Sequence, residues 1–334
     1  MESFPNFTFI GNVSEDKKKQ FEKETIESLT SDVSLLLSDA EKRELEMHEI
    51  RKTPEQERLF KSVDEKLKDL QKMCGVIPYD FPLENIFILS SEIFEQKFPG
   101  LYGVALADKQ RIFLEREDGD DYTLSLALFH ELFHCKGKIA VQVPSEESGS
   151  RKNTLREGFI VHSSDKSNRD GSRHEHFRGV EEAVTATMEK LFHKKLLQSG
   201  EFPDVSEKFY SDEGKAEIQK IMKAYNIPFE EVRWFDSSKN NGTAWFFPYG
   251  PQRKVLDYVV HEIAAEKGVQ DDDIFYKFLR DHFTGHLIEL GKMVEDVFGK
   301  GSFRRLGDMD VDSKSAIQTL EALQKMRIVH KEKS

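Results

Sequence analysis

One short segment constrains this chain more than any other feature of its sequence. Residues 128–134 are Leu-Phe-His-Glu-Leu-Phe-His, and the largely uncharged residues around them predict a helix over 122–136. His130 and His134 are four residues apart, so they lie on one helical face and both imidazoles can reach one metal ion. Glu131 lies between them and can take a proton from a water that the metal activates. The pattern predicts a zinc site with Glu131 as general base.

The residues that follow narrow the kind of site. Gly137 is predicted to end the helix as its C-cap. It also fills the glycine position of an extended His-x-x-Gly-x-x-His motif, but the last position of that motif is Ala140, which excludes a third histidine at this spacing. Lys136 stands where zinc peptidases usually have a hydrophobic residue. The alternative is an ordinary amphipathic helix whose two histidines hold no metal.

A catalytic zinc needs a third protein ligand and one open position. The segment Gly179–Ala186 opens a predicted helix, and Glu182 follows His134 by 48 residues. Here the chain resembles the glutamate zincins (gluzincins), and in particular small ones in which an Asn-Glu-Ala-x-Thr segment supplies the ligand. The resemblance implies that Glu182 is the ligand and that Glu181 replaces the asparagine. Two alternatives stay open: Glu181 is itself the ligand, or both are first-turn carboxylates favoured by the helix dipole.

The resemblance extends over residues 84–305. Leu155–Phe159 is similar to the strand that these proteins place between their two metal-binding helices. Phe247–Arg253 is similar to the tyrosine-containing start of a later helix, and Phe298–Arg304 to the closing segment. The resemblance implies a zincin-like fold, one bound zinc ion per chain and hydrolysis of peptide bonds.

Hydrolysis by this route needs a group that stabilises the oxyanion of the tetrahedral intermediate. Tyr249 is the preferred candidate, because a phenol donates a hydrogen bond without adding charge; the alternative is a tyrosine of the core or surface. His174 and His176 are rivals for this role, and as alternatives they are loop residues or ligands of a second metal. His162 and His261 are interpreted as structural residues with no part in the site.

Zincins usually hold an extended peptide along a sheet edge above the metal. The predicted strand at 111–115 precedes the metal helix and resembles that edge. The alternative is an ordinary strand, interior or exposed, with no part in binding.

The remaining pattern predicts a mixed α and β chain. Residues 14–73 predict two or three amphipathic helices, one of which starts at Thr53-Pro54. Strands are predicted at 86–89, 101–106, 111–115, 138–143 and 154–162, and those at 101–106 and 111–115 are predicted to form a hairpin. Helices are predicted at 91–98, 179–197, 213–225, 251–267, 272–283, 285–298 and 313–326. A polar loop is predicted over 163–178, and everything after residue 213 is predicted to be helical.

Composition limits the partners. The net charge of −12 disfavours a broad nucleic-acid surface or an anionic membrane. No signal peptide or apolar run of about 18 residues occurs, which predicts a cytoplasmic protein with no membrane partner. Cys74 and Cys135 are too few for a disulfide framework and are predicted to be reduced and buried.

These observations predict an α+β, zincin-like fold with a small mixed sheet over the metal helix. Residues 1–75 would form a helical cap or arm and 76–334 the catalytic domain, with the sheet and metal helix in 84–200 and a helical subdomain in 201–334. The predicted function is a zinc peptidase acting on peptides or proteins. Two alternatives remain: a catalytically silent zincin-like protein that binds a peptide or partner, and a helical interaction protein whose motif is accidental.

Overall fold

The computed structural model describes residues 6–11, 13–30, 47–116, 121–143, 153–167, 173–235 and 243–333. The strands are β1 (Phe7–Ile10), β2 (Ile86–Ser90), β3 (Gly103–Leu106), β4 (Arg111–Arg116), β5 (Ile139–Gln142), β6 (Asn153–Glu157), β7 (Ile160–Ser167), β8 (Arg173–His176), β9 (Val232–Phe235) and β10 (Thr243–Phe246).

Helices make up most of the described chain. They are α1 (Glu15–Thr30), α2 (Pro54–Met73), α3 (Ser91–Lys97), α4 (Asp121–Lys136), α5 (Arg178–Ser199), α6 (Pro203–Tyr210), α7 (Asp212–Tyr225), α8 (Gly250–Lys267), α9 (Asp271–Thr284), α10 (Leu287–Phe298), α11 (Ser302–Gly307) and α12 (Ser313–Lys333). None of these helices is both long enough and apolar enough to cross a bilayer. The architecture is α+β, as predicted.

The described strands form three small sheets. The first has the order β2-β4-β3, with β2 parallel and β3 antiparallel to β4. The second has the order β1-β5-β6-β7-β8 and joins β1, which precedes α4, to four strands that follow it. The third is the pair of β9 and β10. The predicted hairpin of 101–106 with 111–115 is thereby confirmed.

One prediction about the first sheet is wrong. The strand at 111–115 was expected to be the substrate-binding edge, but β4 lies between β2 and β3 and uses both of its edges for pairing. Within the described residues the edge strand next to the metal helix is β3. The sequence places the two strands of a hairpin next to each other, but it does not reveal that β2 pairs with β4 on the far side.

The prediction of a single strand over 154–162 is also wrong, because this segment belongs to two strands, β6 and β7. The chain turns at Gly158, which has a φ of +55°, and β6 and β7 pair antiparallel across this turn. The predicted loop at 163–178 contains the end of β7 and the whole of β8. The region after residue 213, predicted to be entirely helical, contains the β9–β10 hairpin, and β1 was not predicted.

Helix α2 joins the N-terminal region to the back of the metal helix. Thr53 caps it in a capping box with Gln56, and Pro54 occupies the first turn, as predicted. Lys136, the last residue of α4, is fully buried, and its Nζ lies 2.8 Å from Asp64 of α2 and 2.6 Å from the carbonyl oxygen of Tyr79. A lysine occupies this position because its ammonium group joins the end of α4 to Asp64 of α2.

Candidate metal centre

Helix α4 presents the two histidines of the motif from a buried position. Leu128, Phe129, Leu132 and Phe133 are at most 2% exposed, because the helix packs against α2, α5 and the first sheet. The side chains of His130 and His134 are 12% and 14% exposed, and their ring centroids are 5.1 Å apart. The i, i+4 spacing therefore brings both imidazoles to one side of the helix, as predicted.

Helix α5 brings Glu182 to the same point. Its Oε2 lies 3.3 Å from His130 Nε2 and 3.6 Å from His134 Nε2. Among the residues that the structure describes, this buried oxygen has no hydrogen-bond partner. One ligand atom from each of the three residues lies within 4.8 Å of the others, and no other group of this kind occurs among the described residues. Two imidazole nitrogens and one carboxylate are a donor set suited to zinc.

The structure separates the roles of the two adjacent glutamates. Glu181 contacts His134 through Nδ1, at 2.8 Å, which is the ring nitrogen that faces away from Glu182. Glu182, and not Glu181, therefore belongs to the group of three side chains that could hold a metal ion. Helical geometry is the reason, because consecutive residues project about 100° apart around the axis.

The charges around the histidines favour a cation. Burial alone would lower the pKa of His130, but contacts with Glu182 and Glu189 outweigh it and raise the pKa to about 10. Burial would raise the pKa of Glu182, but the two histidines hold it well below its ordinary value. In the metal-free protein, protons on the imidazoles thus balance carboxylates that a divalent cation would balance in their place.

Glu131 lies beside the group, close enough to both histidines for their charges to act on its carboxyl group. It is 9% exposed, and burial raises the pKa of its carboxyl group. Strand β3 passes directly over it: a Cβ at Gly103 would lie 2.8 Å from Glu131 Oε1. Glycine at this position leaves the space that the Glu131 carboxylate occupies.

Tyr249 lies where the sequence analysis placed it, at the start of α8 beside the metal-binding residues. Its φ of 56° puts the residue in the left-handed region, which turns the chain just before the helix. The pKa of its phenol is raised by burial first and then by the charges of Glu182 and Glu131. Its ring centroid is 6.2 Å from that of His130. The phenol therefore keeps its proton and can donate a hydrogen bond.

Two cavities of opposite character meet at this centre. The first has a volume of about 320 Å³ and an apolar lining that includes Leu101, Tyr102, Ala127, Trp245 and Pro248. The second, of about 270 Å³, is lined by Glu131, Glu157, Glu175, Glu181 and Glu182 together with Arg178. Gly103, His130, Glu131 and Tyr249 line both cavities. The group formed by His130, His134 and Glu182 therefore lies where the two cavities meet.

The other histidines of the sequence analysis lie apart from this group. His176 Nδ1 lies 3.3 Å from Asp308, and His261 is exposed beside Asp271. His162 lies 3.7 Å from Glu175 and is not one of the metal-binding residues. The side chain of His174 is outside the described part of the structure.

Sequence analysis missed the residues behind the ligands. Glu189 Oε2 lies 3.0 Å from His130 Nδ1, and its other oxygen accepts a hydrogen bond from Arg233 at 2.7 Å. Glu181 contacts His282 of α9 at 3.1 Å. Glu189 had a detectable signal, since it follows Glu182 by seven residues and so shares its helical face. His282 had none, because it is 100 residues further along the chain than Glu182.

Helix α4 ends at Lys136, so Gly137 follows it directly at the position that the sequence predicted. Its φ is not in the left-handed region that many such glycines adopt, and its N–H donates a hydrogen bond to the carbonyl oxygen of His134. A Cβ at Gly137 would lie 2.8 Å from His282 Cε1. Glycine is present here because an imidazole packs against the backbone.

Cys74 and Cys135 are both buried and unpaired, as predicted. Comparison of the chain with protein-family models, with curated proteins and with solved structures finds no match in any of the three. The assignment of a function therefore depends on the residues of the site itself.

Proposed function

We propose that this protein is a zinc-dependent peptidase of the glutamate zincin type. The observation that carries the proposal is the convergence of Glu182 Oε2 on His130 Nε2 and His134 Nε2, at 3.3 and 3.6 Å. These three residues would hold the ion. A zinc ion bound there would polarise the scissile carbonyl group and lower the pKa of an attacking water.

Glu131 is the general base of the proposed reaction. Its carboxylate takes a proton from the attacking water as the new carbon–oxygen bond forms. The carbon–nitrogen bond of the peptide then breaks, and Glu131 delivers the proton to the departing amine. Burial, which raises its pKa, suits both roles, because a carboxyl group that protonates readily can also return the proton.

Tyr249 is the proposed partner of the oxyanion. It lies at the junction of the two cavities, and its raised pKa keeps the phenol protonated at neutral pH. The hydrogen bond that it donates would strengthen as the carbonyl oxygen gains charge, which lowers the barrier rather than tightening ground-state binding.

Strand β3 is the proposed binding edge for the peptide. Its start lines the apolar cavity and its end lines the acidic one. A peptide that adds antiparallel to β3 runs in the opposite direction, from the acidic cavity towards the apolar one. The residue on the carboxyl side of the scissile bond then enters the apolar cavity, beside Tyr102 and Trp245. We infer that a large apolar side chain is preferred at this position.

A Glu131→Gln variant tests the proposal. Zinc content, measured by elemental analysis, should stay near one ion per chain, whereas hydrolysis of a quenched peptide library should be lost. In the parental protein, cleavage should favour Phe or Leu over Asp immediately after the scissile bond. Hydrolysis by the variant at the parental rate would refute Glu131 as the base. A zinc-loaded parental protein that cleaves no peptide in the library would refute the function.

A further inference from the structure

A buried group of atoms lies behind the ligand His134. Glu181 and His282 are 1% and 0% exposed. Glu181 Oε1 lies 2.8 Å from His134 Nδ1, and Oε2 lies 3.1 Å from His282 Nδ1. The same Oε2 accepts a hydrogen bond from the backbone N–H of Phe159 at 2.8 Å. The carboxylate is thus enclosed by donors on both of its oxygens.

Both ring nitrogens of His282 face hydrogen-bond acceptors. Nε2 lies 3.2 Å from the carbonyl oxygen of Phe133, and Nδ1 lies 3.1 Å from the carboxylate of Glu181. A ring that donates to both acceptors is an imidazolium, which would balance the charge of Glu181.

Two glycines make room for the pair. A Cβ at Gly158 would overlap Glu181 Oε2, and a Cβ at Gly137 would lie 2.9 Å from His282 Nε2. The backbone therefore approaches the pair from two places, the end of β6 at Gly158 and the end of α4 at Gly137. A group packed this tightly holds its side chains in one orientation.

The other ligand histidine has the same arrangement. His130 Nδ1 lies 3.0 Å from Glu189, and Glu189 in turn bonds to Arg233. Each of the two imidazoles is therefore backed by a buried glutamate, and each of these glutamates contacts a second buried basic side chain.

We propose that Glu181 and His282 form a charge-balanced positioning pair for the zinc ligand His134. Glu181 holds the Nδ1–H of His134, which fixes the ring with Nε2 towards the metal and makes that nitrogen a stronger donor. His282 supplies the positive charge that allows a carboxylate to stand in the buried position behind the ring. This inference rests on the proposed zinc site, but not on peptide hydrolysis.

The proposal explains why one residue could not do this work alone. A carboxylate buried without a counter-charge takes up a proton or turns away from its buried position. Without His282, Glu181 would therefore no longer hold the Nδ1–H of His134 as an ionised acceptor. An amide at position 181 would need no such partner.

Zinc affinity of four full-length proteins tests the proposal: the parent, Glu181→Gln, His282→Gln and the double variant. Glutamine at either position keeps a hydrogen-bonding group and removes the charge. Competition with a chromophoric chelator should show a Kd for zinc raised about 10–100-fold in His282→Gln, the range for outer-shell partners. The double variant should bind zinc more tightly than His282→Gln does, because glutamine at position 181 needs no counter-charge and its amide oxygen can still accept the Nδ1–H of His134. His286→Gln, at an exposed position near the end of the same helix, should keep the parental Kd.

If the two substitutions raise the Kd for zinc independently of each other, the pairing is overturned. A packing role alone predicts this result, with the double variant binding zinc most weakly of the four proteins. If His282→Gln does not fold, nitrogen NMR of the parent labelled in histidine decides, and a neutral His282 ring would equally overturn it. These readouts do not involve turnover. A parent that binds zinc but cleaves no peptide therefore contradicts only the proposed function, whereas additive Kd values contradict only the pair.

Discussion

Gly103 on β3 and Glu131 on α4 lie so close together that a methyl group at position 103 would come within 2.7 Å of Glu131 Cγ. The proposed binding edge and the proposed base are therefore in direct contact. Any side chain on this residue of the strand must displace the carboxylate on the helix.

A Gly103→Ala variant should lose turnover and keep its metal. The new methyl group pushes Glu131 away from the reacting atoms, and a misplacement of about 1 Å costs on the order of 100-fold in rate. Peptide hydrolysis and zinc content are measured together. Gly250→Ala is the matched control, because its added Cβ meets nothing closer than Arg253 at 3.9 Å. Full activity in Gly103→Ala would contradict the assigned position of the base.

Removing Glu182 should remove tight metal binding. Glu182→Ala takes away one of three protein ligands, so the Kd for zinc should rise by more than about 100-fold, since even outer-shell partners are worth about 10–100-fold. Glu207→Ala, at an exposed position on α6, should bind zinc like the parent. Unchanged zinc affinity in Glu182→Ala would show that the third ligand is another residue.

Tyr249→Phe should lower kcat and leave KM and zinc content nearly unchanged. Loss of one oxyanion donor typically costs about 100–1,000-fold in kcat. Steady-state kinetics on a single peptide measures this split, with Tyr210→Phe on the surface of α6 as the control. A rise in KM without a fall in kcat would place Tyr249 in ground-state binding instead.

The metal-free protein should become less stable as the pH rises. The pKa of His130 is about 10 in the folded chain and about 6.5 when unfolded, so folding binds a proton between these values. Its contribution is complete below about pH 6.5 and is lost as the pH rises through about 10. Between pH 7 and 9.5 the Tm in a chelator should therefore fall more for the parent than for His130→Ala. An equal or smaller fall in the parent would contradict the raised pKa.

Breaking the ion pair between Lys136 of α4 and Asp64 of α2 should destabilise the protein. Lys136→Met leaves the buried Asp64 carboxylate without its partner, which should lower the free energy of unfolding by about 3–5 kcal/mol. In the double variant Asp64→Leu/Lys136→Met most of this loss should be recovered. Urea denaturation measures both, and a double variant less stable than Lys136→Met would contradict a charge-pair explanation.

The sequence alone determined the local part of the site. The i, i+4 spacing of His130 and His134 follows from helical geometry, and the uncharged residues around them indicate a buried helix, so both were predicted correctly. Glu182 was identified through the resemblance of its segment, with Glu181 as the alternative. In the structure Glu182, and not Glu181, approaches the Nε2 atoms of both histidines, because the way α5 is rotated against α4 directs Glu181 to Nδ1 of His134.

Long-range packing decided the rest. β4 became an interior strand because β2, more than 20 residues earlier in the chain, pairs with it. His282 meets Glu181 across a separation of 101 residues. The turn at Gly158 and the glycine at 137 are required by side chains that approach from elsewhere in the fold. Periodicity reports which face of an element is buried, but the identity of the neighbour on that face is set only when distant segments pack together.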